Sequence, residues 1–528
     1  MKASDLLVDC LEQEGVEYVF GLPGEELGDV LFSLRDSDIE FIPVRHEQGA
    51  AFMADVHGRV TGRAGVCLST LGPGATNLLT GVADAHLDKS PVVAITGQAG
   101  LERQHKESHQ LLDVLHTYRS VTKWNTQMTD PETINESVRK AFKLAEYEKP
   151  GATHLEFPED VAAEETSAKP LESTRRVRRP DPDEQSVEHA AELLQRADRP
   201  LVIAGNGAVR ERAAESLREF VSETEVPVVG TYMGKGALSD ADEHSLFTLD
   251  SGENGEAADA IARADCVLTL GYDIAEHDPE SWNPDRDKDV VHLDSEPAEV
   301  YEHYNPNVEL VCDISAGLDA LRERLDVTCP AGWYHDQREA IAEQTTRHPE
   351  SDDPVTVKNV LPLLRGAMAD EDVLVSDVGS HKMAIAQNFP TYEPNTVIVS
   401  NGLASMGIGV PGGLAADLAS DSNVVVATGD GGFMMNAAEI ETATRLGCAY
   451  TIVVFNDSEY RLITEELEEE FGDHFGTGLT NPDFVKFAES FGIDATRAET
   501  WDDIDTALTE AVESDGMTLV EIPVEKRI

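Results

Sequence analysis

Residues 424–457 read VVVATGDGGFMMNAAEIETATRLGCAYTIVVFND, and their pattern decides the fold class. Two β-branched runs are each followed by an acidic residue, Asp430 after the first and Asp457 after the second. A glycine turn and a helix-like stretch separate the runs, as in a parallel βαβ unit with one crossover helix. Because neighbouring parallel strands end at the same sheet edge, we expect the two aspartates to lie close together. The stretch therefore predicts an α/β protein built on parallel sheets.

The turn after the first run has the features of a phosphate site. A glycine turn between a strand and a helix exposes backbone N–H groups beside the positive end of the helix dipole. The two aspartates add hard oxygen ligands of the kind that Mg²⁺ prefers. A Gly-Asp-Gly string alone is more often a structural turn, so the flanking strands carry the prediction of a metal-bound diphosphate. The candidate diphosphate contacts are Gly429, Asp430, Gly431 and Gly432.

Charge and composition exclude several classes of function. With 528 residues the chain is long enough for two to four domains. Its 100 acidic residues against 41 Lys and Arg give a net charge of −59, which argues against binding nucleic acid or anionic membranes. The acids are spread along the whole chain instead of forming one tail. This pattern indicates a halophilic protein adapted to a cytosol of concentrated salt.

Neither export nor cysteine chemistry is indicated. The chain has no apolar run of about 18 residues or more, and its first residues are typical of an amphipathic helix rather than a signal peptide. We expect a cytoplasmic protein. The cysteines are widely separated and form no CxxC pair, so we interpret them as small core residues rather than disulfide or zinc ligands. They are Cys10, Cys67, Cys266, Cys312, Cys329 and Cys448.

Strand, helix and turn signals predict three α/β domains, at residues 1–165, 185–328 and 352–528. A charged, proline-rich stretch at residues 162–185 reads as a linker between the first two. The first and third domains share one plan of strand, glycine loop, helix and strand. We expect two similarly folded domains with doubly wound parallel sheets on either side of a different middle domain.

Residues 424–457 resemble the thiamine diphosphate motif of the acetolactate synthase and 2-oxoacid decarboxylase superfamily. The resemblance implies that Asp430, Asp457 and the backbone carbonyl of Glu459 hold Mg²⁺, and that Tyr460 is among the cofactor contacts. It also implies a thiamine diphosphate-binding fold in the first and third domains, a Rossmann-like middle domain and a site formed between two subunits. Most members have Asn at the second ligand position. Asp457 resembles the variant of the catabolic, flavin-free acetolactate synthases.

The string Arg45-His46-Glu47-Gln48 resembles the catalytic glutamate segment of this family. The resemblance implies that Glu47 exchanges a proton with N1′ of the cofactor's aminopyrimidine ring. The residues themselves allow a simpler interpretation, because an acid in the first turn of a helix often only complements the helix dipole. A buried-looking strand end before Glu47 and a run of small residues after it favour a shielded carboxylate.

Other cofactor contacts follow from the resemblance. Gly72 and Asn77 belong to the first-domain loop beside the cofactor, although Asn77 is also a suitable helix cap. Met406 corresponds to a wedge beneath the bent cofactor, although a lone Met between small residues is normally core packing. The third-domain contacts that the resemblance implies are Gly379, Ser380, His381, Ala404 and Met406.

The substrate is less firmly indicated than the cofactor. Gln110 lies in a segment that resembles the family's residues near the reacting carbon, and its amide suits the oxygens of a 2-oxoacid. The middle domain, in residues 271–279 and 291–294, resembles the flavin-free branch, so we do not expect FAD. After Ser458 the family pattern is lost. Five of the six residues at positions 465–470 are acidic, the exception being Leu467. These acids form either a solvated face or, at Glu465 and Glu466, part of the pocket.

The resemblance implies an acetolactate synthase that decarboxylates pyruvate and transfers the acetaldehyde unit to a second 2-oxoacid, as in branched-chain amino acid biosynthesis. Arg461 would bind the acceptor carboxylate if it points inward. Another 2-oxoacid decarboxylase or carboligase, or a non-catalytic paralogue, stays open. The expected assembly is a homodimer or homotetramer that acts on small molecules. The sequence does not determine whether a regulatory subunit binds.

Overall fold

The computed structural model describes residues 1–172, 179–210, 213–252, 255–325, 329 and 332–525. Within these ranges, three six-stranded sheets follow one another along the chain, and their paired strands run parallel. Helices cover the sheets, as a parallel sheet buried on both faces requires. The predicted α/β class with three parallel sheets is confirmed.

The N-terminal unit begins with the amphipathic helix predicted from the first residues. Its strands are β1 (Tyr18–Gly21), β2 (Glu40–Pro43), β3 (Gly65–Ser69), β4 (Val92–Gln98), β5 (Trp124–Gln127) and β6 (Ala152–Pro158). Its helices are α1 (Ala3–Glu14), α2 (Gly28–Arg35), α3 (Glu47–Thr61), α4 (Pro73–Leu87), α5 (Val114–Tyr118), α6 (Ile134–Glu146) and α7 (Glu159–Ala163), with 3₁₀ turns at Glu25–Leu27, Leu101–Arg103 and Pro131–Thr133. The sheet order is β2-β1-β3-β4-β6-β5.

The middle unit is a Rossmann-like sheet. Its strands are β7 (Pro200–Ala204), β8 (Val228–Gly230), β9 (Ser245–Thr248), β10 (Cys266–Leu270), β11 (Asp289–Asp294) and β12 (Val308–Val311). Its helices are α8 (Glu184–Arg196), α9 (Ala213–Thr224), α10 (Glu256–Arg263), α11 (Pro279–Trp282), α12 (Ile314–Arg322) and α13 (His335–Thr346), with a 3₁₀ turn at Asn206–Val209. The order β12-β11-β10-β7-β8-β9 is that of the dinucleotide-binding fold, whose strand order reverses between β7 and β10.

The C-terminal unit repeats the N-terminal topology. Its strands are β13 (Val373–Ser376), β14 (Val397–Val399), β15 (Val424–Gly429), β16 (Thr451–Asn456), β17 (Asp494–Arg497) and β18 (Thr518–Pro523). Its helices are α14 (Val357–Ala367), α15 (Ser380–Asn388), α16 (Gly409–Ala419), α17 (Asp430–Asn436), α18 (Glu439–Leu446), α19 (Arg461–Phe471), α20 (Phe484–Glu489) and α21 (Trp501–Val512). The order β14-β13-β15-β16-β18-β17 matches the first sheet strand for strand, which confirms two alike units around a different one.

The prediction of a single crossover helix between β15 and β16 is wrong. The connection consists of two short helices, α17 and α18. The break between them satisfies two long-range contacts. The Asn436 amide donates to the Gly407 carbonyl at 2.8 Å. The Glu439 carboxylate accepts the backbone N–H groups of Arg45 and His46, each at 3.0 Å.

The N- and C-terminal units share a hydrophobic core. Helix α3 packs on α16, and buried Phe52 and Val56 belong to the same cluster as Val410 and Leu414. Gly412 makes this approach possible, since a Cβ there would lie 3.0 Å from Val56 Cγ2. The six cysteines are all buried and none forms a disulfide bond, as expected of core residues. In the described part of the chain, no helix has the length and apolar character needed to span a membrane.

Candidate active site

Asp430 and Asp457 lie at the same edge of the C-terminal sheet. Strands β15 and β16 pair in parallel with Gly429 opposite Phe455, so both aspartates directly follow neighbouring strand ends. Burial and the nearby charge of Asp430 raise the pKa of Asp457 to about 6, and burial raises the pKa of Asp430. Two crowded carboxylates with raised pKa values favour a cation between them.

Asn481, which no sequence motif indicates, holds the Asp430 carboxylate. Its side-chain amide donates to Asp430 Oδ2 and also lies 3.1 Å from Asn456 Oδ1 and 3.3 Å from Ser458 Oγ. Asn481 therefore connects the first acidic turn to the second. It belongs to no motif and reaches the site from the loop before α20, so only the three-dimensional structure reveals it.

The side chains provide part of a metal coordination shell. Among the described residues, no group of three or more His, Cys, Asp and Glu side chains is arranged to hold a metal. Asp430 and Asp457 supply two carboxylates, so a hexacoordinate Mg²⁺ here needs backbone and ligand oxygens as well. The Glu459 side chain points elsewhere, with Oε2 3.5 Å from Arg461 and Oε1 3.6 Å from His474. Its backbone carbonyl is the atom that the sequence analysis named.

The predicted diphosphate site is lined by glycines, because neighbouring side chains lie too close to leave room for a Cβ. A Cβ on Gly379 or Gly429 would lie 3.0 or 3.2 Å from the His381 ring. A Cβ on Gly431 would lie 2.7 Å from Tyr460 and 3.4 Å from Met406. These residues, which are far apart in the sequence, form one cradle. On Gly432 a Cβ would meet the buried carboxylate of Asp377 at 2.9 Å.

His381 supplies a polar atom that suits a phosphate. The side chain is 3% exposed, and its Nε2 has no hydrogen-bond partner within the described part of the chain. Burial lowers the pKa of His381 to about 4, so the imidazole is neutral near pH 7 and able to donate one N–H. An unpaired buried nitrogen is costly unless a ligand satisfies it. The cradle therefore fits a phosphate-bearing cofactor. Ser380 begins α15 beside His381.

Glu47 lies on the N-terminal unit beside Asn77. Glu47 is the first residue of α3. Its side chain is 4% exposed and accepts a hydrogen bond from the Asn77 side-chain amide at 3.0 Å. Gly72, with φ of 51°, caps α4, so the alternative of Asn77 as a helix cap is wrong. A Cβ on Gly74 would lie 3.2 Å from Glu47 Oε1. The glycine loop thus closes on the carboxylate.

Gln110 lies at the mouth of this loop. It is exposed, with φ of 55°, and its carbonyl oxygen is 2.4 Å from the position of a Cβ on Gly72. Only a glycine allows this approach. The side chain of Gln110 is exposed beside the glycine loop at Gly72.

The N-terminal and C-terminal parts of the predicted site are not joined by direct contacts. No hydrogen bond between described residues links Glu47, Asn77 or Gln110 to Asp430, Asp457 or His381; the Asn77 amide, for example, reaches only Glu47 Oε2. The turn before Glu47 docks instead on Glu439. Within one chain, the carboxylate and the acidic pair are two separate half-sites.

Arg461 is matched by acids of its own region. It donates to Glu465 Oε1 at 2.6 Å and lies 3.5 Å from Glu459 Oε2. Glu466 and the acids at 468–470 are exposed, as the solvated-face interpretation requires. Glu465 is half-buried because it pairs with Arg461.

Comparisons with known proteins agree with this arrangement. Three family models match: the thiamine pyrophosphate enzyme N-terminal TPP-binding domain at residues 1–117, the central domain at 187–321 and the C-terminal TPP-binding domain at 377–522. An acetolactate synthase of Bacillus subtilis is 32% identical over 99% of this chain and 93% of its own length. A probable acetolactate synthase large subunit of Methanocaldococcus jannaschii is 32% identical over 99% of the chain and 92% of its length. A catabolic acetolactate synthase of Raoultella terrigena is 32% identical over 99% and 95%.

Identity above 30% along nearly the whole chain, with the three domain types in the same order, shows the family. The chain belongs to the acetolactate synthase family of thiamine pyrophosphate (thiamine diphosphate) enzymes.

Proposed function

We propose that this protein is an acetolactate synthase that uses thiamine diphosphate and Mg²⁺, decarboxylates pyruvate and transfers the acetaldehyde unit to a second 2-oxoacid. The observation that carries the proposal is the buried Glu47 carboxylate held by the Asn77 amide at 3.0 Å. A silent paralogue has no need to keep this contact together with the paired aspartates at the other half-site.

When bound, thiamine diphosphate supplies a carbon that attacks the 2-oxoacid carbonyl and takes the electron pair released with CO₂. Glu47 exchanges a proton with N1′ of the aminopyrimidine ring. Asp430, Asp457 and the Glu459 carbonyl hold Mg²⁺, and the glycine cradle leaves room for the diphosphate. His381 donates its free Nε2–H to a phosphate oxygen, for which its neutral form is the right one. Gln110 donates to the 2-oxoacid at the mouth.

Product analysis tests the proposal. The purified protein is incubated in molar KCl with pyruvate, thiamine diphosphate and Mg²⁺, and CO₂, acetolactate and acetaldehyde are measured. Acetolactate formed with CO₂ supports the proposal. Acetaldehyde formed in place of acetolactate supports a simple decarboxylase, and the absence of CO₂ contradicts both.

A simple 2-oxoacid decarboxylase, or a carboligase with a neutral acceptor, is the second candidate. The observation that favours it is the pairing of Arg461 with Glu459 and Glu465, which uses the positive charge expected to bind an acceptor carboxylate. The same product assay separates the two candidates.

We further propose that the middle unit binds no flavin. In a doubly wound sheet, the turn after the strand at the switch point is the usual position of a dinucleotide phosphate. Here the backbone N–H of Asn206 in that turn donates to both carboxylate oxygens of Glu276, at 3.1 and 3.0 Å. Gly207 also packs on Gly271, where a Cβ on Gly207 would be 2.6 Å from Gly271 Cα. An internal carboxyl group thus takes the phosphate position. A flavin absorption spectrum of the purified protein contradicts this proposal.

A homodimer or homotetramer is proposed because the two half-sites are separate within one chain. Met434 and Met435, 42% and 47% exposed on α17 beside the acidic turn, suit burial against a second copy. Light scattering in molar KCl tests this assembly, and a monomer contradicts it. The proposed setting is the high-salt cytoplasm of a halophile, with a role in branched-chain amino acid biosynthesis or its catabolic counterpart.

A further inference from the structure

The loop between β14 and α16, residues 400–409, carries Ala404 and Met406, and we name it the wedge loop. Ala404 has φ of 54°, so the loop is held in a conformation that its own residues do not favour. The loop has little regular structure of its own to fix this shape. Its shape must therefore come from contacts with other parts of the chain.

Three aspartates outside the wedge loop hold its backbone. Asp88 accepts the N–H groups of Asn401 and Gly402, Asp84 that of Ser405, and Asp377 those of Gly407 and Gly409. Asp377 belongs to the C-terminal unit, like the loop. Asp84 and Asp88 belong to the N-terminal unit, so another domain of the same chain fixes half of the loop.

Of the contacts that the N-terminal unit makes with the wedge loop, the one made by Asp84 lies nearest to Met406 in the sequence. Its Oδ1 accepts Ser400 Oγ at 2.9 Å and the Ser405 N–H at 3.3 Å, which ties the start of the loop to the residue before Met406. Asp88 is balanced by Arg59, whose Nη2 is 2.7 Å away and whose Nη1 donates to the Val399 carbonyl at 2.8 Å. Asp84 forms no hydrogen-bonded ion pair of this kind with the described residues, although the charge of Arg59 acts on it as well.

The Asp84 carboxyl is fully buried, and its Oδ2 has no hydrogen-bond partner within the described residues. Burial, with the charges of Asp88 and Asp55 nearby, raises its pKa well above the usual range. Asn keeps an accepting oxygen in nearly the same place as Asp84 Oδ1, which accepts from Ser400 Oγ and the Ser405 N–H. The Asp84→Asn variant is thus a conservative replacement, whereas Asp84→Ala removes the acceptor for two donors.

We propose that Asp84 is a positioning residue of the cofactor site, which sets the wedge loop from the neighbouring domain and thereby the position of Met406 beneath thiamine diphosphate. This inference rests on the proposed function. It makes cofactor affinity depend on how the N-terminal unit docks on the C-terminal unit.

The test compares the wild type with Asp84→Ala and Asp84→Asn in molar KCl. Hydrogen exchange of peptides covering residues 400–407 is expected to be about tenfold faster in Asp84→Ala, and the Kd for thiamine diphosphate with Mg²⁺, measured by calorimetry, about tenfold weaker. Asp84→Asn is expected to stay within about twofold of the wild type. Asp372→Asn, which alters a buried carboxylate at the opposite end of the C-terminal sheet, is the control and is expected to leave both values unchanged.

The inference is overturned if Asp84→Ala changes neither the hydrogen exchange of the wedge loop nor the Kd for thiamine diphosphate. Faster hydrogen exchange with an unchanged Kd also overturns it, because the loop then does not set cofactor affinity. If Asp84→Ala does not fold, Ser400→Ala decides the question, with an expected loss of about threefold in affinity and no loss as the contradicting result. A wild type that binds no thiamine diphosphate contradicts the proposed function itself, which keeps the two failures apart.

Discussion

The contact between the Asn77 amide and the Glu47 carboxylate joins the start of α3 to the glycine loop at the start of α4. The segment around Glu47 was recognisable from sequence because its neighbours are contiguous. Asn481 and Asp377 were not predicted as site residues, because their partners lie 51 and 30 residues away and follow no motif spacing. At the residue scale, local strings identify cofactor contacts, and long-range side-chain contacts escape them.

Glu47→Gln is expected to lower kcat by at least about a hundredfold, because an amide does not exchange the proton that the reaction needs. The fold is expected to remain, since the Gln oxygen still accepts the Asn77 amide. Pyruvate consumption and thermal unfolding are the measurements. Glu441→Gln, an exposed acid near the same turn, is the matched control. Turnover of the Gln variant within a few-fold of the wild type removes Glu47 from the mechanism.

His154 gives the protein a pH dependence of stability with a definite sign. Its Nε2 pairs with Thr96 Oγ1 at 2.8 Å, and burial lowers its pKa to about 3. Between the unfolded pKa near 6.5 and the folded value, only the unfolded chain takes up the proton, so stability from this residue falls as pH falls. From pH 7 to 5 the denaturation midpoint of the wild type should fall more than that of His154→Gln. Parallel curves for the two proteins contradict the prediction.

The crossover between β15 and β16 shows what a pattern of elements leaves out. Both strands follow from their β-branched runs, and their pairing follows from parallel βαβ geometry. The break into α17 and α18 does not, because Asn436 and Glu439 find their partners in the wedge loop and in the N-terminal unit. Tertiary contacts set this connection, and helix propensity does not.

Glu439→Ala is expected to weaken the docking of α18 on the turn before Glu47. The buried carboxylate accepts the N–H groups of Arg45 and His46 and the Thr442 hydroxyl at 2.6 Å. Its loss leaves buried donors unpaired, at about 2 kcal/mol or more of unfolding free energy. Denaturant titration measures this loss, and kcat is expected to fall with it because Glu47 directly follows the docked turn. A variant with wild-type stability contradicts this account of the break.

Removing an acidic partner from helix α19 is expected to free part of the positive charge of Arg461. In Glu465→Gln the Arg461 guanidinium loses the negative charge of its 2.6 Å partner and keeps that of Glu459. More positive charge is then available to an anionic acceptor, so KM for pyruvate is expected to fall about two- to fivefold. Glu469→Gln, an exposed acid on the same helix, is the control and is expected to change nothing. A KM that is the same in both variants places Arg461 outside the acceptor site.

At the scale of the whole molecule, the sequence predicted three sheets, their parallel sense and the likeness of the outer two. The sequence did not predict how the two outer units dock on each other. Three side chains of the N-terminal unit make the contacts between these domains: Arg59 and the buried Asp84 and Asp88. None of them belongs to a motif that is recognisable in a single sequence. Internal repeats are visible in a sequence because each repeat is local. The contacts that turn two repeats into one half of an enzyme are not local.

The net charge of −59 determines how the whole molecule responds to salt. Like charges spread over the surface repel one another within a screening length of about 10 Å at 0.1 M salt, which falls to about 3 Å at 1 M. Raising KCl from 0.1 to 2 M is therefore expected to raise Tm by about 10 °C or more, with most of the rise below 1 M. Sucrose stabilises proteins by exclusion without screening charge. It serves as the control and should give a smaller, steadier rise. A Tm that does not respond to KCl, or that responds equally to sucrose, contradicts the view that charge repulsion limits the stability of this protein.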